Sequence, residues 1–430
     1  MAWIALPVSA QSLIELYDTA KAYDAPYLSA LAQYQASLSK AEQARAGLLP
    51  SAALSAEAFV NQRESSNAVL NDKYDNQTIK LAASQPLYRP ANWASNEQAQ
   101  RSLTTAQAQL DVAGQDLLVR LAQAYFDVLG AQDSQAFIQA QKTAVAEQLA
   151  AARRNFEVGT ATITDTREAQ ARYDLVLAQE IAADNDLRVK KLALDQLVGK
   201  AGTNPWLLAP GATLPVVEPA DVNTWVSRAE AEHPLVKQAA TGLDIAQLET
   251  RKAQAGHAPT LDAVVQYQMA RAPTTTPPAF PHVRNNTASL GVQFNLPLFA
   301  GFAVQNRVKE TLALEEKART DLEAARRGVA QATRTAFFGV QSGLGQVRAL
   351  EAAEASSQSS LEANQLGYQV GVRINIDVLN AQSQLYQTKA SLAKARYDVL
   401  LGGLKLRQAG GVLQAADLQA VNGLLKAPAH

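Results

Sequence analysis

Few side chains in this sequence are of the types that perform catalysis or bind metals. The chain contains no cysteine, so disulfides, thiolate zinc sites and cysteine catalysis are excluded. A glycine-rich phosphate loop and a nucleophile elbow are also missing. We therefore predict a protein that is not an enzyme and uses no metal and no cofactor. The four histidines show no HxxxH or similar spacing: His233, His257, His282 and His430.

Polar residues of interest lie instead in two similar stretches, Phe156–Asp165 and Tyr368–Gln382, each next to long proline-free segments. In the second stretch, Gly371 can adopt a positive φ and so reverse the chain. Asn375 or Asp377 can then cap the returning helix, because a short amide or carboxylate accepts hydrogen bonds from the free N–H groups of the first turn. The sequence therefore predicts two helix-hairpin tips of one design.

The overall composition favours long helices packed through small side chains, because alanine supplies much of the apolar content. The net charge is −1, with 39 basic and 40 acidic residues. Without a strongly basic surface, nucleic-acid binding has little support. The sequence has no apolar run of about 18 residues, so it predicts no transmembrane helix.

The first ten residues resemble the end of a secretory signal peptide. Val8 and Ala10 are small residues at the −3 and −1 positions for cleavage before Gln11. We predict that residues 1–10 are a remnant of such a signal. The basic segment that usually begins a signal peptide is missing, so an ordinary N-terminus is the alternative.

Four short runs alternate between apolar and polar residues, the period expected of strands. The residues between the first two runs, 63–76, are polar and predict a loop. The other segments have helical composition, with breaks at Pro26 and Pro234. The predicted strands cover about residues 52–62, 77–86, 260–270 and 286–297.

The order of these elements occurs twice. Gly159 and Gly371 are 212 positions apart, as are Asp165 and Asp377. Each unit reads helix, strand, strand, long helix, tip, helix. We predict a first repeat at 11–219 that ends in a proline-rich linker at 199–219, a second repeat at 220–411, and a C-terminal tail at 412–430.

The predicted strands have the length that a tilted strand needs to cross a bilayer, about nine to eleven residues. Four strands cannot close a barrel, and open sheet edges are not tolerated in lipid. Either several chains pool their strands in one barrel, or the strands form a soluble sheet. One face of the second pair is polar enough to line water: Asp262, Gln266, Gln268, Ser289, Gln293 and Asn295.

From Gln11 to about Leu425, the chain resembles the TolC family of outer-membrane channel proteins in element order, duplication and both tips. The resemblance implies a trimeric α+β membrane protein. Each chain contributes four strands to a shared β-barrel and its long helices to a periplasmic helical tunnel. The most specific motifs are Ala124-Tyr125-Phe126, Phe156-Glu-Val-Gly159, Gly256-His-Ala-Pro259, Leu296-Pro297-Leu298 and Gly367-Tyr368-Gln-Val370-Gly371.

The resemblance also assigns roles to the tip residues. It implies that the closed periplasmic entrance is held by links between Thr164 and Asp165 on the first hairpin and Tyr368 and Arg373 on the second. Breaking such directional links could bias a two-state opening.

Two further positions on the second hairpin match the entrance constriction. Asp377 matches an acidic ring that would attract cations. Three residues on, Asn380 replaces a second acid of the family pattern, which weakens the expected ring. Gly159 and Gly371 match the tips that adaptor proteins contact.

The function implied is a passive exit duct that carries drugs or secreted proteins across the outer membrane. Its expected partners are two further copies of the chain, a periplasmic membrane-fusion adaptor, an inner-membrane transporter of RND, ABC or MFS type, and outer-membrane lipid. The alternative is a coiled-coil scaffold or adhesion protein of the cell envelope without a pore.

Overall fold

The computed structural model describes residues 10–64, 66, 72–272 and 283–427. The chain divides into two compact units. The helical unit comprises Met1–Ala32, Gln109–Lys237 and Ala325–His430, and the sheet unit comprises Gln33–Ala108 and Gln238–Ala324. Within the described ranges, no helix combines the length and the apolar character needed to span a membrane.

Helices dominate the chain, and two of them are very long, with 68 residues in α3 and 67 in α7. The breaks occur where the prolines predicted them, since Pro26 and Pro234 lie in the first turns of α2 and α6. The helices are α1 (Leu13–Tyr23), α2 (Ala25–Ala46), α3 (Pro90–Glu157), α4 (Ile163–Val198), α5 (Val222–Glu232), α6 (Pro234–Gln254), α7 (Ala303–Gln369), α8 (Asn375–Ala409) and α9 (Ala415–Asn422).

The sheet unit contains a four-stranded antiparallel sheet in the order β1-β2-β4-β5. Two further short strands, β3 and β6, pair in the helical unit. The strands are β1 (Ser51–Arg63), β2 (Asp72–Tyr88), β3 (Leu207–Leu208), β4 (Thr260–Ala272), β5 (Val283–Asn295) and β6 (Leu425–Lys426).

The sequence underestimated the length of β2. Asp72 to Asn76, predicted as part of a loop, pair residue by residue with Phe59 to Arg63 of β1. The segment is extended because its backbone groups find partners on β1, which a count of polar side chains does not reveal. At the other end, β2 continues through Pro86, where a register irregularity accommodates the missing N–H. β5 ends at Asn295, two residues before the predicted end.

The strand register separates the sheet into an apolar face and a polar face. Leu54, Leu81, Tyr267 and Ala288 align across the four strands on the apolar face. Leu54 is 72% exposed and Leu290 of the same face is 82% exposed. The residues predicted to line water, from Asp262 to Asn295, alternate with these and share the polar face.

The main core of the helical unit packs α1, α3, α4, α8 and α9 together. Tyr125 is fully buried at its centre, and its hydroxyl donates to the Trp206 carbonyl at 2.8 Å. The predicted linker 199–219 therefore takes part in the core. The predicted tail does as well, because Leu418 of α9 is fully buried and β6 pairs with β3.

Asp24 joins α1 and α2 at the predicted break. Its backbone ends α1, and one carboxylate oxygen accepts from the Tyr27 N–H at 3.0 Å in α2. The Arg120 guanidinium of α3 donates to both carboxylate oxygens, at 2.9 and 2.8 Å. These bonds hold the pKa of the Asp24 carboxyl below its usual value, with the Arg120 hydrogen bond as the largest cause and burial acting in the opposite direction.

Candidate functional site

The two hairpin tips of the helical unit have the same backbone geometry. Gly159 follows α3 with φ 81°, and Gly371 follows α7 with φ 79°. At each tip an N–H bonds to a carbonyl five residues earlier, Thr160 to Asn155 at 2.8 Å and Val372 to Gly367 at 2.9 Å. This is the Schellman arrangement, which requires a left-handed residue and so favours glycine. The two tips predicted by the sequence are thus present at both positions.

The helices that leave the tips begin differently. α4 begins with a capping box, in which the Asp165 N–H bonds to the Thr162 hydroxyl at 3.2 Å and the Thr162 N–H bonds to the Asp165 carboxylate at 2.9 Å. α8 has Ile374 at its N-cap, with no side-chain cap bond. The prediction that Asn375 or Asp377 caps α8 is therefore wrong, because the Asn375 amide and the Asp377 carboxylate have other partners.

The residues predicted to link the hairpins lie near the tips but make other contacts. The Tyr368 hydroxyl accepts a hydrogen bond from the Asn155 amide of α3 at 3.4 Å. Arg373 is 3.6 Å from Asp377 in its own hairpin, and its side chain is 60% exposed. Thr164 is exposed. Among the described residues of this single chain, neither Tyr368 nor Arg373 is hydrogen-bonded to Asp165.

Asn375 supplies the connection that the sequence interpretation missed. Its side chain is fully buried, although it is the first residue of α8. Its amide nitrogen donates to the Asp165 carbonyl of α4 at 3.2 Å, and its amide oxygen accepts a hydrogen bond from Gln148 of α3. One asparagine of the second hairpin thus bonds to both helices of the first.

A signal for this role is visible in the sequence in retrospect. Asn375, Val378, Leu379, Gln382 and Leu385 are all buried on α8. Their spacing of three and four residues defines one helix face. A polar residue on such a face must find hydrogen-bond partners, because an unpaired buried amide is costly.

Two more polar contacts connect the hairpins behind Asn375. The Arg172 guanidinium of α4 donates to the Asn380 side-chain oxygen at 2.7 Å. Gln141 of α3 donates to the Ser383 hydroxyl at 3.3 Å. Asn380, predicted as part of a constriction, is therefore bound by a cation of the neighbouring hairpin, which an acid at this position would bind more strongly.

Apolar packing accompanies these bonds. Leu379 of α8 is fully buried in a cluster with Leu149 of α3 and Ala169 and Val176 of α4. A second cluster, within the second hairpin, joins Val378 to side chains of α7 and to the ring of Tyr368. Leu379 therefore packs against the first hairpin, whereas the adjacent Val378 packs against α7 of its own hairpin.

Farther along the same helices, Tyr397 of α8 donates to the Asp133 carboxylate of α3 at 2.6 Å. Burial raises the pKa of the Asp133 carboxyl, and the bond from Tyr397 acts in the opposite direction. Burial also raises the pKa of the Tyr397 phenol, and the charge of Asp133 adds to this effect. The bond between α3 and α8 is therefore made by two groups that are poorly solvated.

The outer surface of the tips is apolar and exposed. Val158 precedes the first glycine, and Val370 and Val372 flank the second. Val372 is 76% exposed. Over the described part of the chain, no group of three or more His, Asp or Glu side chains could hold a metal ion. The tips thus combine exposed apolar side chains with the hydrogen bonds between helices described above.

Comparison with known proteins shows which family shares this architecture. The family model described as outer membrane efflux protein matches residues 16–200 and 225–412. The outer membrane protein TolC of Vibrio cholerae is 32% identical over 97% of this chain and 95% of the relative. The alkaline protease secretion protein AprF of Pseudomonas aeruginosa is 29% identical over 96% of this chain and 87% of the relative.

Solved structures agree with the fold. The outer membrane protein VceC of Vibrio cholerae superimposes with a TM-score of 0.80 at 18% identity, over 93% of this chain and 96% of that one. The chain therefore belongs to the outer membrane efflux protein family, the TolC family of outer-membrane channels.

Proposed function

We propose that this protein is the outer-membrane exit duct of a tripartite export system, in which three copies form one channel. The four-stranded sheet gives the main support for this proposal. Its apolar face would contact lipid and its polar face would line water, and both outer strands, β1 and β5, have an open edge that strands of neighbouring copies would close. Four strands from each of three chains would make a barrel of twelve, within the size range of outer-membrane barrels.

The long helices of the protomers would continue the barrel as a periplasmic tunnel. The duplicated order of elements supports this arrangement, because each repeat contributes one strand pair and one long-helix hairpin. We further propose that the boundary between the repeats lies at residues 199–219 and that residues 1–10 are removed as a signal peptide.

The periplasmic entrance would be the gate of this duct. We propose that Asn375, with Gln148 and Asp165, holds the second hairpin against the first in the closed state. Tyr368 and Arg373 would add to this hold, and in the trimer Arg373 could reach the first hairpin of a neighbouring copy.

Asp377 would form an acidic ring at the constriction. Asn380 would add no charge to it. Opening would separate the two hairpins at the polar contacts, which are directional and are lost together when the helices move apart.

The exposed apolar tips around Gly159 and Gly371 would bind a periplasmic adaptor, which in turn would bring an inner-membrane transporter of RND, ABC or MFS type. Relatives named for efflux and for protease secretion both support export as the task. The cargo would be drugs, secreted proteins or both. Energy would come from the transporter, since the duct is passive.

The comparisons favour the duct over a coiled-coil scaffold without a pore. The test is to purify the protein in detergent, determine its mass and measure ion conductance in planar bilayers. A trimer with conductance is expected. A monodisperse water-soluble monomer without conductance would contradict the proposal, and labelling of Leu290 and Val292 by lipid-soluble probes would separate the two functions independently.

A further inference from the structure

The two repeats place their strands at constant offsets along the chain. The prolines just before β1 and β4, Pro50 and Pro259, are 209 positions apart. The prolines at the ends of the partner strands, Pro86 in β2 and Pro297 after β5, are 211 positions apart. Each residue of the first strand pair therefore has an equivalent in the second, at an offset of 209 for β1 and 211 for β2.

The pairing of the strands agrees with these offsets. Leu54 of β1 lies opposite Leu81 of β2. The equivalents of these two residues are Ala263 and Val292, and they lie opposite each other in the second strand pair. Both repeats therefore pair their strands in the same register.

The seam between the repeats joins a second strand to a first strand, β2 to β4. At this seam Leu81 lies opposite Tyr267, and Lys80 lies opposite Gln268. The sheet ends at two open edges of the same two kinds, since β5 is a second strand and β1 is a first strand. Such unlike edges fit a cyclic assembly, in which β5 of one copy is followed by β1 of the next.

We propose that β5 of each copy pairs with β1 of a neighbouring copy in the register of the β2–β4 seam. Shifting the two seam pairs by the repeat offsets gives the residues that meet. Val292 lies opposite the neighbour's Ala58. Gly291 lies opposite the neighbour's Phe59. This inference rests on the proposed trimeric channel and adds which residues meet at the subunit boundary.

The register keeps both faces of the sheet continuous across the boundary. Val292 and Ala58 belong to the apolar face, and Gly291 and Phe59 belong to the polar face. A shift by one residue would join the apolar face of one copy to the polar face of the next, because side chains alternate along a strand. The competing registers are therefore those shifted by two residues.

The ring of Phe59 distinguishes among these registers. Phe59 is 54% exposed, although it lies on the polar face, opposite Asn76 of its own chain. Gly291 leaves room beside it, because apart from its chain neighbours no atom of the described residues lies within 4 Å of where a Cβ would stand. An aromatic ring opposite a glycine covers the bare backbone and stabilises the sheet edge. Shifts by two residues would place Ser289 or Gln293 opposite Phe59 instead.

The test uses pairs of introduced cysteines, which suits a chain without native cysteine. Residues directly opposite in antiparallel strands have Cα atoms about 4.5–5.5 Å apart, which a disulfide spans, whereas diagonal neighbours are about 7–8 Å apart. The test variant is A58C/V292C. The register controls are A58C/L290C and A58C/F294C, which would pair directly only if the strands were shifted by two residues.

The seam within one chain supplies the control for disulfide formation. Leu81 and Tyr267 are the equivalents of Val292 and Ala58, and they lie opposite each other in the same chain. L81C/Y267C should therefore form a disulfide that leaves the chain monomeric on a denaturing gel.

Mild oxidation of the purified A58C/V292C protein should give covalently linked trimers on a denaturing gel without reductant. Linking should be about tenfold faster than in either register control, because a diagonal pair needs backbone movement to form a disulfide. Faster linking of a register control would overturn the proposed register. So would the absence of links in all three variants while L81C/Y267C forms its disulfide.

A second measurement does not depend on disulfides. Phe59→Ala should lower the temperature at which the trimer dissociates, because the ring no longer covers the neighbour's glycine. In a Gly291→Val background the same substitution should lower it less, since residues in contact give non-additive effects. Equal effects in both backgrounds would contradict contact between Phe59 and Gly291.

Conductance of the same proteins separates this inference from the proposed function. A conducting trimer with another strand register would refute the register alone. If wild-type protein forms no conducting trimer, the channel proposal fails and the register fails with it.

Discussion

Replacing Asn375 by alanine should release the second hairpin from the first. The substitution removes the donor to the Asp165 carbonyl and the acceptor for the Gln148 amide, while leaving the backbone of α8 intact. Asn375 is fully buried, so water cannot replace these bonds without opening the interface. Alanine also favours helix, which removes loss of helical structure as an explanation.

The expected free-energy change follows from the two bonds. Each contributes about 1 kcal/mol net, and partners left without water add to this, which gives about 2–3 kcal/mol for the pair. Because 1.4 kcal/mol corresponds to a tenfold change in an equilibrium, the ratio of open to closed hairpins should rise roughly 30- to 140-fold in each protomer. The effect on the channel would be larger than this, because all three protomers of the trimer would carry the substitution.

Single-channel conductance in planar bilayers is the assay, with trimer mass as the check on assembly. Asn364→Ala is the matched control, because among the described residues the Asn364 amide bonds only to Ser360, within its own helix α7. We expect Asn375→Ala to increase mean conductance and the control to leave it unchanged. Gln148→Ala should have a smaller effect, and the double substitution should add little to Asn375→Ala.

Two results would refute this reasoning. One is equal conductance of the Asn375→Ala and Asn364→Ala trimers. The other is full additivity of Gln148→Ala and Asn375→Ala, since residues that share a bond should show a coupling of about 0.5–3 kcal/mol.

Three further outcomes are expected. Tyr368→Phe combined with Arg373→Ser should raise channel conductance, and unchanged conductance would mean that neither residue holds the entrance. Asp24→Asn should lower stability by about 1–3 kcal/mol at neutral pH, because Arg120 loses a buried partner. Since the folded-state pKa of Asp24 is lowered, this difference in stability should persist above about pH 4 and disappear as pH falls through the lowered pKa. Melting temperatures of the two proteins measured against pH check this. A difference that stays constant down to pH 2 would contradict the pairing of Asp24 with Arg120. Gly371→Ala should speed amide hydrogen exchange at the second tip, because φ 79° costs alanine about 1 kcal/mol, whereas Gly371→Asn should exchange more like wild type.

Several features of this protein could be predicted from local patterns. Period-two alternation located the four long strands and the residues of the polar face, because side chains of a strand alternate between faces whatever the strand pairs with. The tips were predictable at Gly159 and Gly371, since a Schellman turn needs a left-handed residue and glycine adopts that conformation at little cost.

Other features depend on partners distant in sequence. The extension of β2 to Asp72 needs hydrogen bonds from β1, and the order of β2 beside β4 joins residues almost 200 positions apart. The burial of Trp206 and Leu418 likewise depends on the core around Tyr125. Local composition carries no information about such partners, because the free energy comes from surfaces that meet only in the folded chain.

The candidate gate likewise has features that the local sequence determines and features that depend on distant partners. The sequence by itself determined which polar residues lie at the tips, because helix periodicity and the two glycines fix their place along each hairpin. Only the tertiary structure decided their partners. Asparagine is a residue type that often caps helices. At Asn375, however, the packing of α8 against α3 and α4 buries the side-chain amide. A buried amide bonds to whatever donor and acceptor the neighbouring helices present.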